Sequence, residues 1–430
     1  MESILPALSA VDSVLWGPPL IILLVGTGIF LTIRLKLLQV LRLPLALRLI
    51  FKAKNQGRGD VSSFKALCVA LAATVGTGNI VGVATAVKVG GPGAIFWMWI
   101  AAFFGMATKY AEGLLAVKYR SVDANGEIAG GPMFYIRNGL GEKWKPLAVF
   151  FAIACILVAT DVILTVFIAA VTIGGLQSIS KVASKLIPFM ALFYIAISLG
   201  LIVLFIDRLP SAITLILDGA FTGTAAAGGF AGSTIMIAMQ NGIARGVFSN
   251  ESGLGSAPIA AAAAKTKWPA EQGLISMTGT FIDTIIICTM TGLALVLTGV
   301  WQGDAAGAAM TTAAFASTYG SVGSQLLTIS LILFAFTTIL GWNYYGERAV
   351  IYLTGTKGIL PYRLIFIVLI ASGAFLKLEA IWVLADIVNG LMAIPNLIAL
   401  IALSGVVVAE TNRYIDRKKR ARHIRQAGQE

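Results

Sequence analysis

The sequence predicts an all-α membrane protein, and three observations carry that prediction. Hydrophobic residues make up 58% of the 430 residues, only 12% are charged, and the mean hydropathy is +0.88. A soluble globular chain carries about a quarter charged residues, and a water-soluble fold of this size could not bury so much apolar surface. In a lipid bilayer the solvent is itself the apolar phase. Second, apolar runs long enough to span recur along the whole chain. Third, the net charge of +12 is concentrated where such runs end. One cluster holds Arg34, Lys36, Arg42, Arg48, Lys52, Lys54, Arg58 and Lys65, and another runs from Arg413 to Arg425. Loops on the cytoplasmic side collect Lys and Arg. Both clusters therefore read as topology signals and not as nucleic-acid-binding patches.

The runs of spanning length are Val14–Ile33, Phe64–Val87, Ala94–Val117, Leu186–Ile206, Thr234–Ala264, Gly273–Val300, Gln325–Leu353, Leu360–Phe375 and Ala385–Ala409. A span needs roughly 20 residues. Leu41–Lys52, Ser211–Phe221 and Ala305–Tyr319 are shorter and amphipathic, which places them at the membrane interfaces. Pro146–Leu176 holds two apolar runs split by Thr160-Asp161, and neither crosses a core of about 30 Å comfortably at about 1.5 Å per residue. Charge parity nevertheless asks for two spans there. With the Arg34–Lys65 loop inside, a single span would put Lys181, Lys185, Lys265, Lys267, Lys357 and the basic tail outside. Two spans put them all inside, giving eleven spans, an outside N-terminus and an inside C-terminus. Parity and length agree if a segment is absent near Thr160-Asp161. The organisation expected is one transmembrane transporter domain over 1–412 and a basic cytoplasmic tail over 413–430.

Sparse chemistry narrows the function. Cys68, Cys155 and Cys288 all lie inside apolar runs, where cysteine packs as a small hydrophobe. His423, in the tail, is the only histidine, so histidine-based catalysis and histidine–metal sites are excluded from the membrane region. The opening MESILPALSAVDSVLWG is acidic before its apolar run and does not read as a cleavable signal peptide.

Two runs are interrupted by residues foreign to an ordinary transmembrane helix. Ala72–Ala84 reads AATVGTGNIVGVA, and Asn241–Ala257 reads NGIARGVFSNESGLGSA. Both contain polar-x-[VL]-G-x-A, at Asn79–Ala84 and at Ser252–Ala257. Glycine makes unwinding inexpensive, and unwound backbone within a membrane must be satisfied by protein, water or ligand. A broken helix offers a positive N-terminal dipole to an anion and free carbonyls to a cation, and paired broken helices point to a midplane transport site. The competing reading is close packing through small-xxx-small spacing, as at Gly78 and Gly82. Arg245 and Glu251 need partners at membrane depth, either each other or Asp283. Lys109, Tyr110 and Glu112 lie near the end of their span, where snorkelling and helix-end anchoring account for them.

A third polar cluster, FTTILGWNYYGER, covers Phe336–Arg348. Thr338 and Trp342 are four apart and share a helical face. A hydroxyl beside backbone carbonyls suits an alkali cation, and a tryptophan can wall a pocket. An interhelical hydrogen bond with aromatic packing explains the same residues.

GGPGAIFWMWIAAFFG at Gly90–Gly105, GGPMFY at Gly130–Tyr135, SNESGLGSAPIAAAAA at Ser249–Ala264 and the Phe336–Arg348 cluster together resemble the alanine or glycine:cation symporter family, the sodium:alanine symporters. The resemblance implies a leucine-transporter-type fold, with two inverted five-helix repeats plus an extra helix, each repeat opening on a broken helix. It implies co-transported sodium and a small neutral amino acid, alanine or glycine. The N–H groups freed around Gly76, Thr77 and Gly78 would hold the substrate carboxylate. Asn79 and the Thr74 carbonyl resemble ligands of one sodium. Phe248 and Ser249 would supply a pocket wall and a hydroxyl near substrate and cation. Thr337 and Thr338, with carbonyls of Ala72 and Val75, resemble a second sodium site. Trp342 would cap the pocket. The family's further span with a Gly- and Gln-containing stretch has no match near Thr160-Asp161.

A proton-coupled or uncoupled carrier of the same fold is the nearest alternative. Hydroxyl ligands favour sodium, since proton coupling uses a titrating carboxylate at the site. An intramembrane enzyme lacks a metal cluster or a membrane histidine. A channel would show repeated pore-lining motifs, which the sequence does not contain.

Overall fold

Proline and glycine set the ends of the first helices. The computed structural model describes residues 5–53, 56–158, 175–221, 235–372 and 378–427. Helix α1 (Leu5–Leu15) gives way at Trp16-Gly17 to α2 (Pro18–Arg34), whose first residue has no N–H to leave unsatisfied. Lys36 and Leu37, both left-handed with φ of 54° and 55°, turn the chain into α3 (Leu38–Leu41) and α4 (Leu43–Lys52). Helix α4 is the first expected interfacial element. It buries Ala46, Leu49 and Ile50 and leaves Phe51 81% exposed, as a lipid-facing side chain would be.

Ser62 caps α5 (Ser63–Thr74) by accepting the Lys65 N–H at 3.2 Å. The helix stops at Val75, restarts as a π-helical turn over Gly78–Gly82 and continues as α6 (Val83–Gly90), bent by 49°. Helix α7 (Gly93–Lys118) follows and is the central pillar, with 83% of its most apolar window buried. A short hairpin pairs β1 (Ser121–Val122) with β2 (Ile128–Ala129), and α8 (Pro132–Leu140) and α9 (Lys145–Val158) come next. After them stand α10 (Gly175–Leu204) and α11 (Leu209–Phe221). The second expected break separates α12 (Ile235–Asn250) from α13 (Ala257–Ala262). Helix α14 (Pro269–Thr280) passes through a long π-helical stretch, Phe281–Cys288, into α15 (Thr289–Thr298). Then follow α16 (Gly307–Tyr319), α17 (Ser321–Thr354), α18 (Ile359–Ser372), α19 (Leu378–Ala402) and α20 (Ser404–Ala427).

Helix α7 packs against α2, α12, α13 and α14. Small residues allow the close approach that helix association in lipid depends on. A Cβ added at Gly242 of α12 would stand 2.3 Å from the Ala94 carbonyl of α7. At Gly93 of α7 it would stand 2.2 Å from the carbonyl of Gly219 in α11.

Among the described residues six helices are long and apolar enough to cross a membrane, or seven when the bent pair α5–α6 is one span. The sequence alone led to eleven. The shortfall has a local reason: the break leaves α12 and α13 at 16 and 6 residues, too short to pass separately. Helices α9 and α18, 14 residues each, end beside residues outside the described set. The region around Thr160-Asp161, on which parity turned, also lies outside the described residues.

Candidate functional site

The first break is built by its glycines. A Cβ at Gly76 would fall 2.0 Å from Thr338 Oγ1, so α17 lays that hydroxyl directly on the unwound turn. A Cβ at Gly78 would meet Ser249 Cα at 3.2 Å and Phe248 Cδ1 at 3.5 Å. Three stretches far apart in sequence thus meet around Gly76, half-buried Thr77 and Gly78. Close packing accounts for Gly78 but not for Gly82, where an added Cβ would meet nothing within 4 Å.

The unwound backbone is satisfied from several sides, as membrane depth requires. The Gly76 N–H donates to Asn79 Oδ1 at 2.7 Å. Thr291 Oγ1 donates to the Asn79 carbonyl at 2.8 Å, and Thr311 Oγ1 to the Ile80 carbonyl at 3.4 Å. Asn79, with no exposed surface, also donates through Nδ2 to Asp283 Oδ1 at 2.7 Å.

Asp283 is the junction of the site. Its other carboxylate oxygen accepts from Ser249 Oγ at 2.9 Å and from Thr284 Oγ1 at 2.8 Å. Asp283 is fully buried in the π-helical stretch, and among the described residues it forms no ion pair. One carboxylate therefore gathers Asn79 from the first break and Ser249 from the second. From the sequence alone Asp283 stands only as a partner for Arg245 or Glu251. The signal available was an acid in the middle of an apolar run, FIDTIII.

The partners expected for the other buried charges need correction. Arg245 binds Asp386 of α19 through two bonds of 3.0 and 2.8 Å, neither Glu251 nor Asp283. Its guanidinium also lies over the Phe248 ring, 5.7 Å from the centroid. Glu251, left-handed at φ 55°, accepts from Ser256 Oγ at 2.7 Å within its own break. Lys109, Tyr110 and Glu112 do not snorkel. They are 3%, 1% and 0% exposed, because α7 is wrapped by other helices at that depth. Lys109 Nζ donates to the Asn250 carbonyl at 2.8 Å, closing the end of α12. Glu112 Oε1 accepts from the Gly253 N–H at 3.1 Å and from Asn396 Nδ2 at 2.7 Å. Helix α7 thus holds the second break by one cation on its carbonyl side and one carboxylate on its N–H side.

That bracing predicts a stability effect. The Lys109 charge faces Glu112, Glu251 and Asp283. Removing one partner of a buried charge pair costs about 3–5 kcal/mol, whereas removing both is often near neutral. Lys109→Met is expected to lower the thermal midpoint of purified protein sharply, and Lys109→Met/Glu112→Gln to recover part of the loss. Melting in one detergent checks it. A double variant no more stable than the single would show that the two charges do not act as a pair.

The remaining expected residues are placed less evenly. Ala72, Thr74 and Val75 are buried at the end of α5, and Thr74 Oγ1 donates to the Ala70 carbonyl at 3.2 Å. Helix α17 rests on this end, since a Cβ at Gly341 would lie 2.6 Å from the Ala73 nitrogen. The Thr337 hydroxyl points to the Phe334 carbonyl at 3.0 Å and the Met190 sulfur at 3.5 Å. Of the two threonines, Thr338 is the one laid on the glycine turn. Trp342, half-buried one turn on, packs edge-on against Tyr345 with centroids 5.5 Å apart.

A sequence profile described as the sodium:alanine symporter family matches residues 1–161 and 157–427. The chain belongs to that family. This symporter is 56% identical to an uncharacterised transporter of Haemophilus influenzae, with 97% of each chain aligned. It is 48% identical to the sodium/alanine symporter of Methanococcus maripaludis, over 96% of this chain and 97% of that one. It is 37% identical to a probable sodium/glutamine symporter of Bacillus subtilis, over 95% and 90%. The family match falls into two pieces that meet at Thr160-Asp161. The Haemophilus alignment runs over 448 positions, more than the 430 residues of this symporter, so that relative carries residues with no counterpart here.

Proposed function

We propose that this multi-pass membrane symporter couples sodium to the uptake of small neutral amino acids, alanine and glycine, by alternating access on a leucine-transporter-type fold. One observation carries the reading: side chains from both broken helices, Asn79 and Ser249, converge on the buried carboxylate of Asp283. An anionic centre ringed by an amide and hydroxyls is a hard-oxygen setting suited to a small cation; the same buried carboxylate is the group a proton-coupled carrier would titrate, so dependence on sodium at fixed pH decides between the two. Asp283 joins Thr74, Asn79 and Ser249 at the first sodium site, and Thr337, Thr338 and the Ala72 and Val75 carbonyls form the second. The carboxylate of the substrate lies on the N–H groups of Gly76–Gly78, between Phe248, Thr338 and Trp342.

The Gly76–Asn79 bond suggests how cation and substrate are linked. Asn79 Oδ1 accepts the Gly76 N–H. A sodium ion that recruits this oxygen releases the N–H, which a substrate carboxylate then accepts. Charge bias supports an outside N-terminus, with 1–412 as the transporter domain and 413–430 as a cytoplasmic tail. The divided family match supports a segment missing near Thr160-Asp161. An intact mass of expressed protein equal to this chain would remove that point.

Reconstituted protein is expected to take up labelled alanine only with a sodium gradient, with unlabelled glycine competing. Equal uptake when choline replaces sodium at fixed pH would refute sodium coupling. Pocket size gives a second expectation. Trp342→Ala opens space one turn from Thr338, so alanine loses contacts while leucine gains room. Each buried CH₂ contributes roughly 0.8 kcal/mol, so three extra carbons shift relative affinity by about tenfold or more. If unlabelled leucine competes no better in the variant, Trp342 only packs between helices.

A further inference from the structure

A cavity of about 150 Å³ lies where the two basic segments of the sequence meet. Its walls come from the α3–α4 corner, from α7 and α14, and from α20. Arg42 and Lys418 supply the cations, and Leu38, Leu45, Leu274 and Ile415 the apolar lining. A single water needs only about 10–15 Å³ of such space, so the cavity accommodates a far larger group.

The polar side of the cavity is ordered by its own contacts. Tyr110 Oη and Thr411 Oγ1 are paired at 2.8 Å, which ties α20 to α7. Lys418 Nζ sits 4.7 Å from the Tyr414 ring centroid, and the Tyr414 hydroxyl donates to Glu271 at 3.1 Å. Glu271 also faces the Lys418 charge, so one of the cavity's two cations stands close to a carboxylate that Tyr414 already orients. Next to Arg42 the surface turns apolar and exposed: Leu37 is 48%, Val40 51% and Leu41 69% exposed. An anion held by Arg42 and Lys418 would therefore carry its apolar part along α3, in the lipid.

We propose that this cavity binds the phosphodiester headgroup of an anionic phospholipid, whose acyl chains lie over Leu37, Val40 and Leu41. Basic pockets between helices at the membrane surface select such lipids, at about 1 kcal/mol per Lys or Arg near the surface. The lipid joins α4, α14 and the basic helix α20, and α14 continues directly into the π-helical stretch that bears Asp283. The site is independent of the transport reading, because neither cation belongs to the substrate or sodium sites.

The test is retention and stabilisation measured on full-length protein in detergent. Wild type is expected to keep phosphatidylglycerol through native mass spectrometry and to melt higher with it than with phosphatidylcholine. Arg42→Gln/Lys418→Gln should bind phosphatidylglycerol roughly thirtyfold more weakly, about 2 kcal/mol for two cations at 1.4 kcal/mol per tenfold. Arg48→Gln/Arg420→Gln removes two exposed cations from the same helices outside the cavity, and should bind as wild type does. If the cavity double variant fails to fold, Arg42→Lys/Lys418→Arg carries the test and should retain the lipid. Equal loss in both Gln pairs would mean a general pull of basic residues on anionic lipid, and would overturn the site. So would equal stabilisation by phosphatidylcholine, or protection by inorganic phosphate alone, which would mark a site for a free anion.

Discussion

Asp283→Ala is expected to abolish concentrative alanine uptake while leaving a folded, extractable protein. Three donors lose the carboxylate at once, Asn79 Nδ2, Ser249 Oγ and Thr284 Oγ1, and Asn79 keeps only the Asp283 main-chain carbonyl at 3.2 Å and the Cys288 sulfur at 3.3 Å. Hydrogen bonds to charged groups contribute about 1.5–3 kcal/mol each, so two of them amount to a hundredfold or more in an equilibrium constant. Asp283→Asn separates charge from shape, since it keeps the volume and one carbonyl oxygen but no negative charge. The sodium half-activation constant of Asp283→Asn should rise by about a hundredfold, with a thermal midpoint above that of Asp283→Ala. A half-activation constant equal to that of wild type would make Asp283 a structural brace between the two breaks. Asn79→Ala, which removes one of these donors, should shift sodium activation in the same direction by a smaller amount.

Gly76→Ala is expected to remove uptake almost entirely, and Gly82→Ala in the same stretch to have little effect. At Gly76 the new methyl would stand 2.0 Å from Thr338 Oγ1, a distance no real pair of such atoms keeps. Either α17 withdraws or the turn opens, and both moves separate the hydroxyl from the unwound backbone. Overpacking of this kind costs about 1–3 kcal/mol in stability, and the displaced site adds a larger loss of transport. At Gly82 the methyl would meet nothing within 4 Å. Adding Thr338→Ala to Gly76→Ala removes the clashing oxygen, so the double variant should regain thermal stability. It should not regain sodium activation, because Thr338 is itself proposed as a ligand. Uptake and melting measured on the four proteins distinguish the outcomes. Restored transport in the double variant would mean that Thr338 contributes only bulk.

Local features of the sequence were enough for a large part of this protein. Composition alone puts it in a bilayer, because 12% charge cannot clothe a soluble surface. Both breaks were legible because unwinding is a property of the chain itself. Gly76, Gly78, Gly253 and Gly255 lower the cost of leaving the helix, and the last two take φ of 93° and 86°, which side chains seldom adopt. Short helices stand at all three segments expected to be too short to span, as α4, α11 and α16 of 10, 13 and 13 residues. The meeting of Gly76 with Thr338 and of Gly78 with Phe248 and Ser249 followed from motif resemblance, and from nothing in periodicity or spacing.

What tertiary structure alone decided is who neutralises whom. Asn79 and Asp283 stand 204 positions apart, and Glu112 and Asn396 stand 284 apart. No local rule ranks Glu251, Asp283 or Asp386 as the partner of Arg245, since each is an acid within a membrane-embedded stretch and any would serve in isolation. The choice falls to helix packing: α19 brings Asp386 alongside α12, while the turn after α12 folds Glu251 back onto Ser256. Lys109 and Glu112 were misread because position along a helix suggested its end, whereas burial depends on the neighbours around it. In a low-dielectric interior an unpaired charge is so costly that the assembled fold, once its helices have met, leaves each such group little choice of partner.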